Sequence, residues 1–142
     1  MIYRDTRDSS CAVDFRTAVL SGMNAKTGGL YVPETIPKLP KELLGKSVAP
    51  SFRDVALEAA KPFVDGEIPD ADLQDIIIDA YPFSAQIVPI DRISYVMELF
   101  HGPTCAFKDF GARFMARTMS YFNRNENNAL HILVATSGDT GS

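Results

Sequence analysis

Cysteine and surplus positive charge are what this sequence most conspicuously lacks. Cys11 and Cys105 lie far apart, and two such thiols make neither a disulfide framework nor the close spacing of a metal site. Fourteen Lys and Arg stand against eighteen Asp and Glu, a net charge of −4. No basic field is therefore available to hold nucleic acid or an anionic membrane surface. No apolar run approaches the length of a membrane span, and the opening MIYRDTRDSS has no apolar signal-peptide core. Repeats and low-complexity tracts are missing as well. A reducing, cytoplasmic location is the simplest expectation from these absences.

The composition that remains, 46% hydrophobic and 23% charged, suffices for a folded core. A length of 142 residues suits one domain or a piece of a larger one. Ile2 to Arg4 and Leu30 to Val32 read as short strands of a minor hairpin around the turn NAKTGG. Asp14 is the natural N-cap of a helix from Phe15 to Ser21, and Gly22 its stop. Pro33, Pro37 and Pro40 forbid regular structure through a linker. Ser51 and Asp54 have capping-box spacing, opening a helix with Phe52, Val55, Ala56, Ala59, Ala60 and Phe63 on its inner stripe. Pro69 and Asp70 open another that turns Leu73, Ile76, Ile77 and Ala80 inward, and Pro82 ends it.

The pattern then changes. Ile87 to Ile90 and Tyr95 to Phe100 are short β-type runs, followed by the turn His101-Gly102-Pro103-Thr104. A helix runs from about Lys108 to Asn123, with Phe107, Gly111, Phe114, Thr118 and Phe122 along one side. After a break at residues 126–128 comes LHILVAT (130–136), which suits a parallel strand covered on both faces. Strand, helix, strand and glycine turn make a βαβ unit. The expected fold class is thus α/β. A small, mostly helical subdomain with a minor hairpin occupies residues 1–92, and a larger α/β domain begins over 93–142. The closing ATSGDTGS reads as a strand-to-helix turn, so the chain is expected to be an N-terminal segment.

Two stretches carry chemistry. The first is AFKDFG, which surrounds Lys108 with Ala106, Phe107, Phe110 and Gly111. An apolar setting disfavours an ammonium, as does the positive end of a helix dipole, and both favour the neutral amine that attacks an aldehyde. That makes Lys108 a candidate Schiff-base lysine. The plainer reading is a lysine whose stem lies on the phenylalanines and whose head is in water. Asp109 reads as an acid favoured by the first helical turn, Arg113 and Arg117 as a solvated face, and His101 as a turn residue. From Lys108 alone the alternatives stay open.

The second stretch is Thr136-Ser137-Gly138-Asp139-Thr140-Gly141-Ser142. Its glycines permit a tight turn and close backbone approach to a ligand. Successive amides with the hydroxyls of Ser137, Thr140 and Ser142 would cradle a carboxylate or phosphate. Neither the Walker A nor the dinucleotide-binding spacing is present. A plain strand-to-helix turn explains the composition equally well.

In combination and in order, ELFHGPT-x-AFKDFGARFMA (98–116) and ATSGDTG (135–141) resemble the threonine synthases that carry an extra N-terminal subdomain. DFRTAVLSGMNAKTGGLYVPETIPKLP (14–40) is similar to the start of those enzymes. The resemblance implies a tryptophan-synthase-β-like fold, also called fold type II, and pyridoxal 5'-phosphate as cofactor. It implies conversion of O-phospho-L-homoserine and water to L-threonine and phosphate. Lys108 would hold the cofactor and move protons. Thr136, Ser137, Gly138, Thr140 and Gly141 would receive the substrate carboxylate, Asp139 would face the cofactor 3-hydroxyl, and Phe107 with Phe110 would dry the pocket. The groups for the cofactor phosphate, pyridine nitrogen and substrate phosphate are expected later than residue 142. The isolated chain is accordingly expected to be inactive and to self-associate through bare sheet surface. The competing readings are another fold type II lyase or dehydratase, and a non-catalytic binding protein that keeps the fold.

Overall fold

Strand alternation places Tyr3 and Asp5 on the buried face of β1 (Tyr3–Asp5) and Arg4 on the other. The structure is a computed structural model that describes residues 1–45, 49–127 and 129–141. It divides into two compact units, Met1–Ile77 and Ile78–Ser142. In the first, β1 is the middle of a three-stranded antiparallel sheet between β2 (Ala12–Val13) and β3 (Tyr31–Pro33). Tyr3 stands opposite both Val13 and Pro33. The two expected strands pair with each other, but β2 and the helix Phe15–Ser21 separate them in the chain, so they are not a hairpin. The two-residue β2, too short to leave a pattern in sequence, pairs on the far side of β1.

α1 (Phe15–Ser21) starts and stops where its caps dictate. The Asp14 side chain accepts the Thr17 amide at 2.8 Å, and Gly22, at φ 65°, donates its amide to Ala18 O. A four-residue helix, α2 (Lys41–Leu44), follows Pro40 directly, where the linker ends. α3 (Phe52–Val64) has the expected capping box, in which Ser51 and Asp54 exchange amide bonds. Its stripe is half-buried rather than enclosed, and Val64 is its fully buried residue. α4 (Asp70–Ala80) buries Leu73, Ile76, Ile77 and Ala80, as its periodicity requires.

One buried carboxylate organises the turn of the first unit. Asp5 accepts the amides of Arg7 and Asp8, the Asn24 amide nitrogen at 2.7 Å and the Thr27 hydroxyl at 2.6 Å. Burying a carboxylate is tolerable when its lone pairs are used in this way. A Cβ on Gly29 would collide with the same carboxylate.

The second unit contains β4 (Gln86–Pro89) and β5 (Tyr95–Glu98), an antiparallel hairpin with Gln86 opposite Glu98 and Pro89 opposite Tyr95. Asp91 holds its tip by accepting the amides of Ile93 and Ser94. α5 (Lys108–Asn123) follows and buries Asp109, Thr118 and Met119. The expected strand at 130–136 is absent. This run is exposed, with Leu133 at 96%, and has no strand beside it among the described residues. A strand holds its shape through ladder bonds to a neighbour, and the sheet of this unit consists of β4 and β5 among the described residues. The mixed α/β class stands, while the pairs that form are antiparallel. The two units part after Ile77, inside α4, and the 92/93 division falls within the β4–β5 hairpin. Asn128 and Ser142 lie outside the described residues.

Candidate functional site

The start of α5 is fixed from two sides. Behind it, Arg113 donates to the carbonyls of Ala80 at 2.7 Å and Asp79 at 2.9 Å. It thereby closes the C-terminus of α4, where orphan carbonyls need donors. Arg117 reaches the Asp79 carboxylate at 3.4 Å. Arg113 is thus committed to the end of α4, while Arg117 stays on the solvated face expected of it, its contact with Asp79 being an exposed ion pair. Tyr81, itself buried, donates its hydroxyl to Phe110 O at 3.0 Å, and burial pushes its phenol up from the ordinary value. Phe110 also meets the Phe83 ring edge-to-face at 5.3 Å, a favoured aromatic geometry.

In front lies the turn from β5. His101 Nε2 is 2.7 Å from Glu98 Oε2. The Cys105 amide donates to Gly102 O, and Cys105 itself is in the left-handed region at φ 52°. Asp109, only 3% exposed, reaches back to accept the Thr104 amide and the Thr104 hydroxyl, both at 2.9 Å. Gly102 sits against this carboxylate so closely that a Cβ would collide with it. Reading Asp109 as a dipole partner missed this grip. The signal available in sequence was a Gly-Pro-Thr turn five residues ahead of an acid at the second helical position.

Lys108 is the first residue of α5 and is half-buried. Its two phenylalanines, three positions apart, keep their ring centres 6.5 Å from each other but differ in their surroundings. Phe110 turns to Tyr81 and Phe83, whereas Phe107 is 70% exposed. A half-buried lysine on a braced helix start carries the primary amine that an aldehyde-bearing cofactor requires, so the residues fit such a molecule.

Thr136, Ser137, Gly138, Asp139, Thr140 and Gly141 form an exposed turn in the same unit. Thr136 Oγ1 accepts the amides of Gly138 at 3.2 Å and Thr140 at 3.3 Å. Gly138 has φ 136°, which favours glycine. A Cβ on Gly141 would collide with the Thr136 methyl group. Two amides converging on one oxygen is the arrangement expected of an anion cradle, and here a hydroxyl of the chain occupies it.

Comparison with known proteins gives a consistent picture. Residues 2–81 match the family described as threonine synthase N terminus. A threonine synthase of Pseudomonas aeruginosa is 37% identical over 147 aligned positions, covering 100% of this chain and 31% of the relative. The crystal structure of threonine synthase from Escherichia coli superposes with a TM-score of 0.84 at 33% identity, covering 99% of this chain and 32% of that one. The crystal structure of threonine synthase from Brucella melitensis with bound pyridoxal phosphate gives 0.78 at 36% identity, covering 87% and 28%. The chain thus spans about three-tenths of the length of the relatives it matches.

Proposed function

Because this chain belongs to the threonine synthase family through that family's N-terminal segment, we propose that it supplies the cofactor lysine of a threonine synthase. The reaction is the conversion of O-phospho-L-homoserine and water to L-threonine and phosphate. The observation that carries the reading is Lys108, a half-buried lysine at the first position of α5, where the chain on both sides is pinned. The Brucella relative binds pyridoxal phosphate, and the donor set here suits the same molecule.

In this reading Lys108 holds the aldehyde end of pyridoxal 5'-phosphate and, when released from it, takes and returns protons at the substrate carbons. Bound there, the cofactor supplies an electron sink for negative charge developing on those carbons. Asp139 accepts a hydrogen bond from the cofactor 3-hydroxyl. Thr136, Ser137, Gly138, Thr140 and Gly141 present amides and hydroxyls to the substrate carboxylate. This requires the Gly138 and Thr140 amides to exchange Thr136 Oγ1 for a carboxylate oxygen. Phe107 with Phe110 lends an apolar lining that helps to keep the site dry. Residues 1–92 serve as the N-terminal subdomain and 93–142 open the cofactor domain, in the cytoplasm. Spanning three-tenths of its relatives, the chain alone binds but does not turn over, and its exposed hairpin self-associates.

The test is to incubate the chain with pyridoxal phosphate, reduce with borohydride, and map the modified peptide. Modification at Lys108 with loss of the violet-edge absorbance in Lys108→Ala is expected, with no phosphate release from O-phospho-L-homoserine. Equal labelling of all lysines would sink the proposal, and steady phosphate release would sink its claim of inactivity. Rescue of a threonine auxotroph by the complete gene that contains this segment separates a threonine synthase from a dehydratase or a non-catalytic binding protein.

A further inference from the structure

We infer that Asp109 is a positioning residue for Lys108: by gripping both donors of Thr104, its carboxylate sets the direction in which α5 presents the neighbouring amine. The inference rests on Lys108 being the cofactor lysine.

Both hydrogen bonds come from one residue. Thr104 N donates to Oδ2 and Thr104 Oγ1 to Oδ1, each at 2.9 Å. The segment 104–109 is thereby closed into a ring whose lock lies next to Lys108. Gly102 is packed against the same carboxylate, and its carbonyl accepts the Cys105 amide at 3.0 Å. Cys105 is held at φ 52°, a region that a side chain disfavours and that persists when surrounding bonds over-determine it. On the other side of Lys108, Phe110 is anchored by Tyr81. The lysine therefore sits between two fixed neighbours, whereas an ordinary helix start frays.

Asp109 is poorly suited to be an acid or base in its own right. It is 3% exposed, and both of its oxygens accept from Thr104. A simple dipole partner would need neither the burial nor the paired grip. What the arrangement does is fix an angle, and a misplacement of about 1 Å at a reacting group costs on the order of 100-fold in rate.

The experiment measures the rate of borohydride-trapped pyridoxal phosphate labelling at Lys108, with Lys26, Lys38 and Lys41 as internal references. In the wild-type chain, trapping at Lys108 is expected to outrun the references. Asp109→Asn places an amide against Thr104 and should slow trapping at Lys108 by about 10- to 100-fold while leaving the references unchanged. Thr104→Val should act in the same direction, and Thr104→Ser, which keeps the hydroxyl donor, should restore the wild-type rate. Trapping in Asp109→Asn that matches wild type in rate overturns the inference, as does Thr104→Ser behaving like Thr104→Val. Should Asp109→Asn fail to fold, the two substitutions at the exposed Thr104 decide. If wild-type Lys108 is trapped no faster than the references, the assignment of the cofactor lysine itself fails, a result distinct from failure of the positioning role.

Discussion

The Glu67 carboxylate accepts the amide of Phe15 at 2.8 Å, capping α1 from 52 positions further along the chain. Its second oxygen accepts the Arg16 amide, also at 2.8 Å. With Asp14 already taking Thr17 N, three of the orphan amides of the first turn are satisfied by two carboxylates, which also meet the positive end of the helix dipole. Glu67→Ala is expected to destabilise the chain by about 1–2 kcal/mol, the usual cost of losing a cap. Urea unfolding followed by circular dichroism measures this. Glu67→Gln, which loses the charge but keeps an acceptor, should fall between the two.

Tyr3 links stability to alkaline pH. Its hydroxyl donates to Phe63 O at 2.9 Å. Burial first, and then the Glu67 carboxylate, push its phenol up from 10.0 to about 12. A raised phenol is protonated and neutral in the fold when the unfolded chain has begun to ionise. Its contribution is therefore whole below pH 10 and is lost as pH rises towards 12. Unfolding free energy should decline across that window in the wild type and much less in Tyr3→Phe. Parallel slopes for the two proteins would show that Tyr3 ionises freely.

Asp5 produces the opposite dependence at acid pH. The Thr27 hydroxyl foremost, and then the amides of Arg7 and Asp8 and the side chain of Asn24, hold its carboxyl below the ordinary 3.8. Its stabilising effect is present above that value and is lost as pH falls through the lower folded one. Asp5→Asn should flatten the acid limb of the stability curve and loosen the turn at 24–29. Faster amide hydrogen exchange at Gly28 and Gly29 is the reading that checks it.

Local chemistry explains which parts of the fold were legible in sequence. Asp14, Gly22, Ser51 with Asp54, and the Leu73, Ile76, Ile77, Ala80 stripe each act through neighbours within a turn or two, and each is where its spacing placed it. What escaped depends on remote partners. Glu67 capping α1, Asp5 gathering Asn24 and Thr27, and Arg113 closing α4 are bonds between residues far apart in the chain. The run at 130–136 has the composition of a strand, but strand structure is a property of pairs, and among the described residues this run has no strand beside it. In the candidate site, Lys108 and the Thr136–Gly141 turn were visible as motifs. Asp109's reach back to Thr104 was hidden, because an acid early in a helix has a sufficient local explanation.

Arg113 offers a test of how α5 is held. Its guanidinium supplies two directed donors to the carbonyls of Asp79 and Ala80 and lies 5.9 Å from the Phe83 ring centre. A lysine carries a similar charge but cannot present a planar fork. Arg113→Lys should therefore cost roughly 1 kcal/mol and Arg113→Ala about 2, since hydrogen bonds from charged groups are worth about 1.5–3 kcal/mol. Thermal unfolding of both variants checks the order. Equal stability of Arg113→Lys and wild type would reduce the interaction to charge alone.

Gly102 and Gly111 separate the effects of space and of backbone freedom around the lysine. Neither has a positive φ, so alanine is conformationally allowed at both. A Cβ at Gly102 would strike the Asp109 carboxylate, whereas one at Gly111 would meet nothing within 4 Å. Gly102→Ala must displace Asp109 or the turn that Thr104 anchors, and is expected to cost about 1–3 kcal/mol, the range for overfilling a packed site. Gly111→Ala, in the interior of α5, should instead stabilise by about 0.5–1 kcal/mol through helix propensity. Opposite shifts in the unfolding midpoint of the two variants are the expected result. A neutral Gly102→Ala would mean that the turn yields easily, and a turn that yields so easily cannot hold the direction of Lys108.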